Sequence, residues 1–253
     1  MHEQLWFTAM LNKYLGGATT ALLEALHIHP HDPSAPIPNY VAMQILVFFL
    51  LVSVFLFIRS RLSVAAPGAW QHSLESLQEF VQNQSREIIG HHSERFTAFL
   101  MPLGLFILIS NLLGMIPGLV SPTANPSVPL GCAVMAFSYY NLQGFLKQGV
   151  AQYLKHFLGP SDPGMPLLIR IPLAILMLPI ELISHSARML SLTIRLFANI
   201  FAGDMVTLVF FSLIPIGIPV AFLLLHVGVS LLQSYIFVLL TTVYLSGAVA
   251  QEH

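Results

Sequence analysis

The chain is short of charge. Of its 253 residues only 10 are Lys or Arg and 11 are Asp or Glu, 8% in all, where a soluble globular chain carries about 25%. So few charges cannot clothe the surface of a soluble globule, which excludes an ordinary cytosolic enzyme and a disordered chain alike. The net charge is −1 and no basic cluster occurs, so the electrostatic footprint of a nucleic-acid-binding protein is missing. There is one cysteine, Cys132, set in an apolar run, which rules out an intramolecular disulfide framework and a cysteine metal site. Neither Gly-x-Ser-x-Gly nor His-Glu-x-x-His is present, so a nucleophile elbow and a paired-histidine zinc motif are both wanting. The acidic opening residues, with no basic stretch ahead of an apolar run, predict no secretory signal. What the chain does have is apolar sequence: 56% hydrophobic residues and a mean hydropathy of +0.77. The fold class this predicts is an all-α polytopic membrane protein.

A membrane span needs roughly 20 mainly apolar residues. Val41 to Ile58, Phe96 to Val120 and Ser127 to Leu146 meet that need, with Pro102 and Gly104 as expected kinks in the second. Two longer runs follow, Ile171 to Phe211 and Pro219 to Gly247, parted by Pro215-Ile-Gly-Ile-Pro219. Five membrane helices are therefore expected, with no interior repeat. Between the first two, Ala69 to Ile89 places Trp70, Leu74, Leu77, Val81 and Ile88 at helical spacing among Glu75, Glu79 and Arg86. That is the pattern of an amphipathic helix lying at the interface. Leu5 to Leu26 is a further apolar-periodic piece.

The basic residues orient the chain. Arg59, Arg61, Arg86 and Arg95 follow the first span, and Lys147, Lys155 and Arg170 follow the third; the opposite side has Lys13 alone. This predicts residues 1–40 outside, connections 60–95 and 147–170 in the cytoplasm, and a cytoplasmic C-terminus. Arg188 and Arg195 belong to no loop, for both fall inside the fourth span.

A helix over 171–211 is about 60 Å long at 1.5 Å per residue, twice the hydrocarbon thickness. It must tilt steeply, kink or lie partly in the interface, and the fifth helix is also too long to stand upright. The two predict a long, strongly tilted hairpin, with Pro172 and Pro179 marking its entry turn. At 100° per residue Glu181, His185, Arg188, Leu192, Arg195 and Asn199 fall on one stripe, and Asp204 points about 140° away from Glu181. On the last helix His226, Ser230, Gln233, Thr241 and Tyr244 form a second stripe. An ionisable group at the bilayer centre costs at least about 2.5 kcal/mol, and such groups mark ion pathways or line hydrated cavities. Arg188 and Glu181 have a plainer alternative, snorkelling at an interface. Protonatable groups strung along two tilted helices suit a proton relay. Arg195 cannot relay, because a guanidinium does not deprotonate. Its place in a proton path is to block leak and attract a carboxylate, one expected on another chain.

Ser191-Leu-Thr-Ile-Arg-Leu-Phe-Ala-Asn-Ile-Phe-Ala-Gly-Asp204 resembles the signature of subunit a of bacterial F-type ATP synthases. Leu232-Gln-Ser-Tyr-Ile-Phe-Val-Leu-Leu-Thr-Thr-Val-Tyr-Leu-Ser246 is similar to that family's last helix, and Asn111-Leu-Leu-Gly-Met-Ile-Pro-Gly118 and Pro122-Thr-Ala-Asn125 to its earlier spans. The resemblance covers about residues 94 to 253. It implies a non-catalytic membrane stator packed against a rotating c-subunit ring, with a b-subunit peripheral stalk and a soluble catalytic sector as further partners, in a bacterial inner membrane. It implies that Arg195 faces the ring and separates two aqueous half-channels. Asp204, His226, Asn199 and Gln233 would line the outer one, while Glu181, His185 and Ser184 would fall toward the cytoplasmic exit. Arg188, Ser230 and Tyr244 are weaker candidates. No cofactor and no metal is expected. His27, His29 and His31 alternate beside Asp32 and read as a solvated segment rather than a metal site, and His91-His92 as residues of the cytoplasmic interface. The residues alone leave two other readings open: a stand-alone proton-coupled transporter or channel, and a scaffold whose polar groups only bond helices together.

Overall fold

The computed structural model describes residues 4–25, 27, 35–61, 68–90, 93–116, 118–149, 153, 167–213 and 217–249. His29, His31, His91 and His92 lie outside them. Seven α-helices run through these residues: α1 Trp6–Ala25, α2 Asn39–Arg61, α3 Ala69–Ile89, α4 Glu94–Leu113, α5 Ser127–Gln148, α6 Leu167–Leu213 and α7 Ile218–Val249, with a 3-10 turn at Pro122–Ala124 before α5. Helices α2, α4, α6 and α7 are long and apolar enough to cross a membrane. The remaining expected span, α5, has 22 residues and carries more polar side chains, among them Ser138, Asn141 and Gln143.

Helix α3 begins and ends where its amphipathic period does. It turns Val81 and Ser85 inward, with Leu74, Leu77 and Ile88 half-buried on the same side. That side packs on α4 and α7: the Ser246 hydroxyl donates to Ile88 O at 2.9 Å. Trp70 is off this face and 74% exposed. From the last turn of α3, Arg86 pairs with Glu94 at 3.0 Å across the turn into α4.

Helix α4 stops at Leu113, seven residues short of the expected Val120. The chain doubles back there, and the Ser121 hydroxyl donates to Ser110 O at 2.9 Å. Thr123, on the 3-10 turn, donates to Asn111 Oδ1 at 2.7 Å. The Ser110 carbonyl near the helix end thus finds a side-chain donor, and the Asn111 side chain ties the last turn to the returning chain. The helix continues through Pro102 and Gly104, and Gly104 is where α7 comes close: the Ser234 hydroxyl donates to Gly104 O at 2.6 Å.

Helix α6 is continuous over 47 residues and contains both Pro172 and Pro179. The expected entry turn at these prolines is corrected: the helix starts at Leu167, so each proline loses one backbone bond inside it. Membrane helices accept that loss where neighbouring groups and local adjustment satisfy the freed carbonyl. At 1.5 Å per residue the helix is about 70 Å long. Leu192, Leu196 and Ile200, at i, i+4 and i+8, enter a core with Leu103 and Ile107 of α4, Cys132 and Ala136 of α5, and Phe237 of α7. Small residues on α5 bring α6 near, and that core fixes which way the rest of α6 faces.

Candidate functional site in the α6–α7 hairpin

Because Leu192, Leu196 and Ile200 are buried, the neighbouring positions of α6 turn outward. Ile194 is 59% exposed, Ser191 and Ala198 are exposed, and Arg195 lies partly buried at the margin. Its guanidinium donates to the Ser191 hydroxyl at 3.3 Å, and no ion pair recorded among the described residues includes it. A cation held this way faces outward from the chain's own core.

Two polar clusters flank Arg195 along the helix. The first lies about 14 Å further on at 1.5 Å per residue, where the Asp204 carboxylate sits 3.8 Å from His226 Nδ1 of α7. The imidazole is 4% exposed and the carboxylate 30%. Both border a cavity of about 360 Å³ whose far wall is Gly114, Leu119 and Ser121 from the α4 return. Gly203 makes the pairing possible, since a Cβ there would meet His226 Nδ1 at 2.8 Å. Toward Arg195, Asn199 Nδ2 donates to Gln233 Oε1 at 2.7 Å. His226 Nε2, Ser230 Oγ and Gln233 Nε2 are buried on successive turns of α7 with no hydrogen-bond partner among the described residues.

The second cluster lies about 21 Å from Arg195 in the other direction. Glu181 Oε1 is 3.2 Å from His185 Nε2, and His185 Nδ1 is 2.9 Å from the Tyr140 hydroxyl of α5. Ser184 stands half-buried beside them. Arg188 sets its guanidinium 5.3 Å from the Tyr244 ring centroid, a cation–π contact inside the bundle. Thr241 is buried but turns its hydroxyl back to Phe237 O at 2.8 Å, closing on its own helix.

The structure therefore brings together Asp204 with His226, Asn199 with Gln233, and Glu181 with His185, as separate cross-helix or same-helix pairs. Asp204 leaves the Glu181 stripe to meet α7, as its angular offset requires. The comparisons with known proteins bear on what such a chain is. The family model for the ATP synthase A chain matches residues 41–246. The chain belongs to that family. Subunit a of ATP synthase from Koribacter versatilis (strain Ellin345) is 53% identical over the whole of both chains. The subunit from Solibacter usitatus (strain Ellin6076) is 48% identical over 96% of this chain and 100% of the relative. That from a Sulfurihydrogenibium species (strain YO3AOP1) is 36% identical over 85% of this chain and 99% of the relative. The chain is a multi-pass membrane component of ATP synthase.

Tyr140 is the site-lining residue that sequence reasoning passed over. It sits on α5 in the series Val128, Cys132, Ala136, Tyr140, Gly144, four residues apart and all buried. That spacing marks it as an inward residue, and its hydroxyl needs a buried partner; only the packing of α6 says that the partner is His185. Gly203 was likewise legible only as one residue of the Ala-Gly-Asp sequence.

Proposed function

We propose that this chain is the stator subunit through which protons reach and leave a ring of c subunits. The observation that carries the reading is Arg195: a permanent cation at the outward margin of a long apolar helix, between two polar clusters and without a carboxylate partner among the described residues. Placing such a charge in a membrane is costly, and a carboxylate presented by a neighbouring rotor would offset the cost. In this reading Arg195 faces the ring and prevents leak between two offset half-channels. Asp204, His226, Asn199 and Gln233, with Ser230, line the outer half-channel. The three buried α7 atoms without partners among the described residues favour a hydrated lining there, since buried polar groups ordinarily find one. Glu181, His185 and Ser184, with Arg188 and Tyr244 beside them, line the cytoplasmic half-channel. The chain itself carries out no covalent chemistry; the complex, with its b-subunit stalk and catalytic sector, does. The excess of basic residues in connections 60–95 and 147–170 sets the N-terminus outside and the C-terminus in the cytoplasm of a bacterial inner membrane.

The test is Arg195→Ala in assembled complexes. ATP-driven proton pumping is abolished while the c subunits still co-purify, and Arg195→Lys fails too, because an ammonium lacks the fork geometry and can lose its proton. Normal pumping by assembled Arg195→Ala complexes would refute the reading.

A further inference from the structure

Tyr140 is 2% exposed and its ring lies nearly parallel to the His185 imidazole, centroids 5.9 Å apart at 24°. The imidazole is thereby held between two unlike partners, the phenol at Nδ1 at 2.9 Å and the Glu181 carboxylate at Nε2 at 3.2 Å. A hydroxyl both donates and accepts, whereas an ionised carboxylate only accepts. With Glu181 ionised, a neutral His185 carries its proton on Nε2 toward the carboxylate, and Nδ1 accepts from the Tyr140 hydroxyl. With Glu181 protonated, its O–H donates to Nε2, and the ring proton sits on Nδ1 and donates to the Tyr140 oxygen. In the imidazolium both nitrogens donate, and the same oxygen accepts. A phenol that rotates about its C–O bond satisfies all three states; no purely donating or accepting group does.

We propose that Tyr140 is a positioning residue for proton exchange at Glu181 and His185: it keeps Nε2 on the carboxylate and lets His185 gain and lose a proton in place. In the step itself the O–H bond of protonated Glu181 breaks as an N–H bond forms at Nε2. Glu181 is left a carboxylate and His185 an imidazolium, and reversal restores both. The proposal rests on the reading of this end of α6 as half-channel lining.

The other described groups around the imidazole leave this assignment intact. From α7, Tyr244 approaches Tyr140 with ring centroids 6.1 Å apart and draws Arg188 of α6 to its own face. On the α5 side Tyr153 spends its hydroxyl on Asn141 Oδ1 at 2.9 Å. Phe137 meets the imidazole edge-on at 6.2 Å, an apolar wall.

Tyr140→Phe keeps the ring packing and removes a hydroxyl that serves Nδ1 in every state. The bond that steadies the imidazolium at Nδ1 is then lost, and proton uptake at this end weakens. ATP-driven acidification of inverted vesicles is measured over a series of medium pH values, with each variant divided by wild type to remove the catalytic sector's own pH dependence. The high-pH limb of the Tyr140→Phe ratio moves toward acid by about one pH unit, a tenfold change in proton occupancy. In a His185→Leu background the same substitution leaves the ratio unchanged. A profile without a shift, or an equal shift with and without His185, overturns the proposal. If Tyr140→Phe complexes fail to assemble, His185→Gln decides. An amide does not titrate, so a deficit that varies with pH is expected, and a ratio flat across the series overturns the proposal. Arg195→Ala run alongside separates the two levels. Pumping by that variant fails the stator reading, while its loss of pumping beside an unshifted Tyr140→Phe profile fails this proposal alone.

Discussion

The side chain that Gly203 lacks is what lets His226 lie against the backbone of α6. A methyl at that position would stand 2.8 Å from His226 Nδ1 and 2.9 Å from Cε1, inside any real contact distance, so the ring must withdraw. It would withdraw from Asp204, which it now reaches at 3.8 Å. Gly203→Ala is therefore expected to lower proton flux about tenfold, in keeping with the cost of misplacing a transfer group. Complex yield should hold, since alanine favours the helix by about 1 kcal/mol; flux equal to wild type in vesicles of matched complex content would contradict the ring placement. The carboxylate and the imidazole also stand close enough, at 3.8 Å, to act as a unit. Asp204→Asn and His226→Gln should consequently lose less in combination than the product of their separate losses, as groups acting as a unit do. Multiplicative losses in a pumping assay of the three variants would dissolve the pair.

Between helices, α4 and α7 come close at Gly104. A Cβ on Gly104 would approach Val238 Cγ2 to 2.8 Å, next to the bond from Ser234 to the Gly104 carbonyl. Gly104→Val overpacks this seam and should destabilise the helix pair by about 1–3 kcal/mol, read as lower yield and a lower melting temperature of the purified complex. Val238→Ala in the same chain should recover part of the loss; no recovery would place the strain elsewhere. These seams mark the limit of what the linear sequence discloses. The amphipathic period delimits α3 to the residue, because its two faces meet different media. The end of α4 was missed although Gly114 and Pro117-Gly118 are stop signals in the sequence: Leu119 and Val120 are as apolar as the helix before them, and the bonds that Ser121 and Thr123 make back to its last turn appear only in the folded chain. The run through Pro172 and Pro179 was missed because local proline chemistry was weighed without the helix around it. At the site, helical angles place Glu181, His185, Arg195 and Asn199 along one helix and His226 and Gln233 along another. A period says which face a residue occupies and not what lies opposite, so Asn199 with Gln233 and Tyr140 with His185 needed the folded chain.

Over the whole molecule, burial is divided unequally. In the most membrane-like stretch of α4 half the residues are buried, and in that of α6 only 11%, although α6 bears Glu181, Arg188, Arg195 and Asp204. Lipid alone would account for an exposed apolar helix, as it does for α2 with Phe48 57% and Phe49 61% exposed. It does not account for Arg195 beside Ile194 on the same margin, because a cation gains nothing from a hydrocarbon neighbour. The proposed function covers α6 around Arg195 with a ring surface bearing acid groups and leaves α2 in lipid, and the two faces can be told apart by chemistry. Cys132 is 3% exposed, so it stays silent toward thiol reagents and a single introduced cysteine reports cleanly. Ile194→Cys, treated with oxidant in complexes whose ring subunits also carry one membrane-facing cysteine, should form a disulfide to a ring subunit. Phe48→Cys should form none and should react instead with a lipid-soluble maleimide. A ring disulfide from position 48 and none from position 194, across several placements of the ring cysteine, would put the ring against the opposite side of the molecule and take Arg195 out of the proton path.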